Sequence, residues 1–213
     1  PFCGLFTRTA AGPDAQSVAS VTDRYVNISR QRNRGVDLSL AIDQDLGNLG
    51  ALTFRAQMTW QIEDKVALFP GTEIDDNGKI GNPKWVGDFN LGWTKDAWTL
   101  FYGLDVTGAA SNEEDLLRAQ GGDPCRTSSF RPGGRFCPDV SVPATFYHSL
   151  SLSRDVADRF RITLGVANLF DRPPPRVSTV VTATPVVIGQ APAFGTQYDY
   201  LGRRFFLGVR GKI

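Results

Sequence analysis

From Leu52 to Ile62 the chain reads Leu-Thr-Phe-Arg-Ala-Gln-Met-Thr-Trp-Gln-Ile, setting Leu52, Phe54, Ala56, Met58, Trp60 and Ile62 against Thr53, Arg55, Gln57, Thr59 and Gln61. Successive side chains of a strand point to opposite faces, so this segment is a ribbon with one apolar side and one wet side. An arginine and two glutamines on the wet side mean that the two faces meet different media, as they do in the wall of a membrane β-barrel.

The pattern recurs. Val36, Leu38, Leu40 and Ile42 alternate with polar or small residues, as do Trp85, Gly87, Phe89, Leu91 and Trp93, and then Trp98, Leu100, Tyr102, Leu104 and Val106. Further on come Phe146, His148, Leu150 and Leu152, then Phe160, Ile162, Leu164 and Val166, and finally Phe205, Leu207 and Val209. Each segment is close to the roughly ten residues that a tilted strand needs to cross a bilayer. Seven strands are therefore predicted, in an all-β, antiparallel up-and-down transmembrane barrel. Seven leave two open edges, whereas bacterial single-chain barrels close with an even number of eight or more, so the sheet is expected to be incomplete. An eighth strand within residues 4–22 is a further expectation.

Composition agrees with this reading and narrows it. Hydrophobic residues make up 41% of the 213 and mean hydropathy is −0.19, with no apolar run near the roughly 18 residues of a membrane helix. A barrel gives such averages because its polar lumen dilutes its apolar face. The formal charge of +1 provides no basic stripe for nucleic acid. The N-terminus opens on Pro1, Phe2 and Cys3 without a charged and then apolar leader.

Connections sort into two lengths. Residues 45–50, 94–97 and 155–158 form short ones, and 66–83, 108–143 and 172–197 form long ones, in strict alternation. Tight turns at one rim and extended loops at the other are what an up-and-down barrel shows. The four tryptophans follow the rims: Trp93 and Trp98 flank a short turn, while Trp60 and Trp85 approach a long loop, which marks them as membrane-interface aromatics. From Trp85 to Trp93 a strand tilted near 40° climbs roughly 20 Å along the membrane normal, approaching the apolar band of about 25 Å.

Among the cysteines, Cys125 and Cys137 lie in one turn-rich stretch and are expected to form a disulfide worth roughly 3 kcal/mol in an oxidising compartment. The remaining thiol, Cys3, is expected to pair with a cysteine upstream of this sequence. The only histidine, His148, falls on the apolar parity near a loop and reads as structural. No nucleophile elbow, phosphate-binding glycine loop or metal-spaced ligand set is present, so no catalytic residue, cofactor site or metal site is assigned.

Particular strings go further than pattern. Tyr25, Val26, Asn27 and Ile28, followed by Arg34, Gly35, Val36, Asp37 and Leu38, resemble a passage of the barrel domain of TonB-dependent outer-membrane receptors. Asn168, Leu169, Phe170 and Asp171 resemble a string near the end of that domain, and Tyr198 to Ile213 resembles its terminal strand. The resemblance covers nearly the whole chain. It implies that residues 1–213 are the C-terminal part of a 22-stranded barrel, with the plug domain and earlier strands outside this sequence. It implies active uptake of a scarce solute, such as a siderophore, cobalamin or a saccharide, across the Gram-negative outer membrane. Implied partners are outer-membrane lipid, a small-molecule ligand and the TonB energy-coupling complex acting through the plug. The long loops would be extracellular and the C-terminus periplasmic. One departure is the final residue, Ile213, where such barrels usually end on an aromatic residue read by the assembly machinery.

In the whole receptor Arg55, Gln57, Gln61, Asp88, Asn90, Asp105, Arg161, Arg204 and Arg210 would face the lumen, mainly satisfying the wall and plug. Ligand contacts are expected in the long loops, where the candidates are Phe69, Asp75 and Asp76, then Arg118, Arg126, Phe130, Arg131 and Arg135, then Phe194. The acidic residues Glu113, Glu114 and Asp115 read as a solvated stretch. Two other readings are a passive porin or adhesion barrel, which would conduct ions freely or serve contact alone, and a secreted β-sandwich binding module such as a lectin, which would be soluble without detergent.

Overall fold

The computed structural model describes residues 3–10, 17–22, 30–69, 71–127, 133–157, 159–181 and 186–211. Seven long strands lie side by side in chain order in one antiparallel sheet. They are β1 (Arg30–Asp45), β2 (Ala51–Ala67), β3 (Trp85–Lys95), β4 (Trp98–Thr107), β5 (Thr145–Val156), β6 (Phe160–Ala167) and β7 (Arg204–Gly211). A short strand, Glu73–Asp75, adds to the far end of β2.

The period-two pattern sets the register. Residues directly opposite one another in a sheet share a face. One line of partners, Ile42, Phe54, Leu91, Tyr102, Leu150, Val166 and Phe205, crosses all seven strands on the apolar face. The adjacent line, Asp43, Thr53, Gly92, Phe101, Ser151, Gly165 and Phe206, crosses them on the other. A one-residue slip in any strand would exchange its two faces, so the two lines fix each other. The apolar face is bare: Leu38, Leu164, Leu207 and Phe205 are 61%, 59%, 67% and 79% exposed.

Polar side chains on the second face bond to one another across strands. Arg55 donates to both carboxylate oxygens of Asp43 at 2.7 Å, Thr59 donates to Asp37 at 2.7 Å, and Arg161 holds Asp155 through two bonds of 2.6 Å. Ser153 on β5 meets Thr163 on β6 at 2.8 Å, and within β3 Asn90 donates to Asp88. Where this face carries glycine, a neighbour lies over the gap. The Phe206 ring covers Gly165 and the Ser149 hydroxyl covers Gly103, leaving no room for a Cβ at either position.

Short turns close one end of the sheet. Residues 46–50 form a tight turn in which Leu46 N–H donates to Gly50 at 2.8 Å and Gly47 N–H to the Asp45 carboxylate at 2.8 Å. The β3–β4 turn places Asp96 at φ 51°, a conformation that aspartate tolerates better than most residues. At the other end β1 and β2 run well past the predicted alternation. Between Gly35↔Gln61 and Arg34↔Glu63 the register steps, leaving Ile62 as an extra residue in a β-bulge. That bulge ends the regular alternation and starts a charged extension, where Glu63 takes Arg34 at 2.9 Å, Lys65 at 3.1 Å and Arg32 at 3.2 Å.

The described residues within 4–22 do not extend the sheet: Phe6–Arg8 pairs with Val18–Val21 in a separate two-stranded sheet. Cys3 opens a 3-10 turn ahead of it. Tyr25 to Ile28 and Ile213 lie outside the described residues.

Candidate functional site

The three long connections are far more structured than their turn-rich sequence implies. Residues 113–119 form a helix, α1, whose Leu116 is buried and whose first turn holds Glu113, Glu114 and Asp115, so the acidic run starts a helix while Glu113 and Glu114 stay exposed to solvent. In the second connection the strand pairs Ala110–Ser111 with Ser141–Val142 and Arg126–Thr127 with Arg135–Phe136 form, the latter beside a Cys125–Cys137 disulfide. In the third, Arg176–Val181 pairs with Val186–Pro192.

These connections pack on each other. Ala110 and Val142 from the second and Ala193 and Tyr198 from the third form a buried cluster, with Ile80 from the first and Val177 against it. Hydrogen bonds cross the same seams: Ser111 N–H to Gly78 at 2.9 Å, Ile80 N–H to the Asn112 side chain at 3.0 Å, and Gln197 Nε2 to Gly81 at 3.1 Å. Lys79 bridges two connections, reaching Asp76 at 2.9 Å and Asp115 at 2.8 Å. Burial alone would lower its pKa, but the hydrogen bonds to Asp115 and Asp76 raise it above the ordinary value. The result is a cap with its own small core.

Beneath the cap, at the loop end of the polar face, lies a concavity of about 800 Å³. Asp105, Tyr147 and Ser149 line it from the sheet, and Gln197, Tyr198 and Tyr200 from the third connection. Asp105 and Tyr147 stand directly opposite on β4 and β5. The one arginine lining it, Arg204, is 2.6 Å from the Asp199 carboxylate. Burial would raise the Asp199 carboxyl, but Arg204 and the Leu201 N–H bond to it and hold it below its usual value. Among the residues lining it, Gln197 buries its Oε1, and the buried Tyr147 oxygen lies against the Asp199 backbone.

The Asn-Leu-Phe-Asp string anchors the wall of this concavity. Asn168 and Asp171 adopt φ 52° and 54°, and the buried Asn168 side chain both donates to the Arg172 carbonyl at 2.9 Å and accepts from its N–H at 2.8 Å. Asp171 then accepts from Arg203 N–H at 2.9 Å, tying the end of β6 to the start of β7. Short polar side chains that tolerate positive φ are what this double turn requires.

Most of the loop residues chosen from the sequence are occupied elsewhere. Asp75 caps the Asn77 N–H at 3.0 Å, Asp76 holds Lys79, and Arg118 holds Glu114 at 2.8 Å. Arg135 makes two bonds to Asp123. Phe69 closes a turn with Thr72, Arg126 lies in the disulfide hairpin, and Phe194 is 90% exposed. Phe130 and Arg131 lie outside the described residues. None of the described ones lines the concavity. Tyr147, Gln197, Tyr198 and Tyr200, which do line it, are not among the residues that the sequence singles out. The available signal was a large aromatic, Tyr147, on the polar parity of a strand, and the Tyr-Asp-Tyr string at 198–200.

The tryptophans form two pairs of neighbours. Trp60 sits opposite Trp85 at the loop end, and Trp93 and Trp98 flank the β3–β4 turn. Trp93 Nε1 donates to Leu49 at 2.8 Å, and the Arg154 guanidinium lies 4.9 Å from the centre of the Trp98 ring. His148 hydrogen-bonds the Tyr102 hydroxyl at 2.6 Å and meets Phe170 edge-on at 4.8 Å, an intramolecular role. Among the described residues no group of three or more His, Cys, Asp or Glu side chains is placed to hold a metal ion.

The family profile described as TonB dependent receptor-like, beta-barrel matches residues 5–169. Two structures of variants of the ferric enterobactin receptor PfeA from Pseudomonas aeruginosa superpose with TM-score 0.52, at 15% and 16% identity. Each covers 96% of this chain, which spans 25% of the receptor's length. No curated protein sequence matches.

Proposed function

Because the chain belongs to the TonB-dependent receptor β-barrel family, we propose that it is the C-terminal part of the barrel domain of an outer-membrane importer. Its plug domain and earlier strands would be supplied by sequence outside residues 1–213. The whole receptor takes up a scarce solute, such as a siderophore, cobalamin or a saccharide, and the TonB complex supplies energy through the plug. The capped end faces outward, the C-terminus faces the periplasm, and the concavity under the cap receives the ligand. The two tryptophan pairs sit at the two membrane interfaces.

The observation that carries this reading is the asymmetry of the sheet. One face presents an exposed large apolar side chain on each of the seven strands, Leu38, Trp60, Leu91, Trp98, Leu152, Leu164 and Phe205, and the other presents a cross-bonded polar lining. Such a sheet suits hydrocarbon on one side and an aqueous or protein-filled interior on the other.

Full-length protein in planar bilayers is expected to show negligible steady ion conductance, and uptake in cells is expected to stop when the proton gradient is collapsed. Free conductance would instead favour the passive porin.

A further inference from the structure

We propose that the apolar face of β1 and β2, just beyond Trp60 and Trp85, binds the anionic phosphate headgroup of an outer-leaflet lipid, and that the β-bulge at Ile62 builds the site. This rests on the orientation given above, with the capped end outward.

Residues two apart on a strand share a face. Along β1 the row Ile42, Leu40, Leu38 and Val36 continues as Arg34, Arg32 and Arg30, with no extra residue in that strand. Side chains that face hydrocarbon pass directly into three stacked cations. On β2 an unbroken row would run from Trp60 to Ile62, Asp64 and Val66. The bulge shifts it, so that Glu63, Lys65 and Ala67 stand opposite Arg34, Arg32 and Arg30. One inserted residue brings Glu63 and Lys65 onto this face and turns Asp64 away from it.

Glu63 is buried and is shared by all three neighbouring cations. Both arginines reach it through Nε, and the side chains of Arg32, Arg34 and Lys65 remain 59%, 56% and 40% exposed. A single carboxylate thus orients three cations and leaves the forked guanidinium ends at the surface, where they match the oxygens of a phosphate. Arg30, Arg32 and Lys65 also line one recess of about 110 Å³, with Glu73 on its border. Glu73 and Asp75 belong to the short strand beyond β2, so they stand two strands, about 10 Å, from the arginine column.

Depth selects a lipid as the source of the phosphate. At a tilt near 40°, Arg34 and Arg32 rise roughly 5 and 10 Å above Val36 along the membrane normal. The polar zone on each side of a bilayer is about 5–7 Å thick, so the two arginines bracket it. Acyl chains then lie along Val36, Leu38 and Leu40, which are bare on the same face.

The test is native mass spectrometry of the full-length receptor in detergent with EDTA, titrated with diphosphoryl lipid A and with the same molecule stripped of its phosphates. The wild type is expected to retain the phosphorylated form in preference. Arg32→Gln combined with Arg34→Gln should weaken that retention about tenfold, and Lys65→Met should weaken it less. Deletion of Ile62 should match the double variant although all four cations remain in the chain. Arg154→Gln, at the opposite end of the same face, should change nothing. Heat-modifiable gel migration shows that each variant has kept its barrel.

Equal retention of the two lipids, or retention indifferent to the double substitution, would overturn the inference. So would displacement of the lipid by an equal concentration of inorganic pyrophosphate, which would mark a site for free phosphate. A folded Ile62 deletion that binds as the wild type does would remove the bulge from the site. Each outcome leaves the importer reading intact, because conductance and energy dependence decide that separately.

Discussion

The two ends of this sheet are stabilised by different means. Toward the short turns, seven strands rely on cross-strand pairing and on whatever medium covers their apolar face, and large side chains such as Phe205 and Leu207 stand uncovered. Toward the long connections, a buried cluster of Ala110, Val142, Ala193 and Tyr198, a short helix, ion pairs and a disulfide form a cap that needs no lipid. Wall stability thus depends on the solvent outside, whereas the cap makes its own interior. That difference leaves a separately packed cap standing on a wall whose strands carry little internal core.

The sharpest way to break the comparison is to charge the wall. Phe89 lies midway between Trp85 and Trp93 on the apolar face. Phe89→Arg in the full-length protein should cost about 2–4 kcal/mol in urea unfolding from lipid vesicles. Asn90→Arg, one residue along on the polar face, should stay within about 0.5 kcal/mol. Equal costs would mean that the faces meet similar media.

Next in size is the clasp between wall and cap. Asn168→Ala strands the Arg172 N–H and carbonyl and should cost about 1–3 kcal/mol, measured in the same unfolding assay. Lys79→Met should then loosen the cap by about 1 kcal/mol, seen as faster amide exchange at Ser111 and Ile80 with wall amides unchanged. Spread of that exchange into β3 and β4 would show that cap and wall open together.

The smallest effect is expected from pH at the charged extension beyond the tryptophans. The hydrogen bond from Lys65, with the charges of Arg32 and Arg34, holds the Glu63 carboxyl below its ordinary value of 4.5. A lowered carboxylate pKa stabilises above the unfolded value and loses that contribution as pH falls through the folded one. Amide protection near Arg34 and Glu63, relative to the intrinsic exchange rate at each pH, should therefore be flat from neutrality to about that ordinary value and fall only in stronger acid. A fall near neutrality would place the control elsewhere.

The wall was readable from the sequence because its period of two repeats across seven segments and each repeat reinforces the others. The ends of β1 and β2 were not, because after Ile62 the run Glu63, Asp64, Lys65 carries no apolar alternation and the bulge leaves no sequence signature. The cap was hidden for a different reason. Its core is made of small residues, Ala110, Val142 and Ala193, separated by up to 83 positions, and no local period announces them. The disulfide was legible from its turn-rich setting. The concavity was not: Tyr147 and Gln197 meet only after the third connection folds back, whereas the charged loop residues that drew notice are used up in local ion pairs.

The Phe206 ring over Gly165 and the Ser149 hydroxyl over Gly103 have a mechanical consequence. Each occupies a gap that its own neighbour leaves open, so valine at either glycine would push the covering side chain aside and raise a ridge on the polar face there.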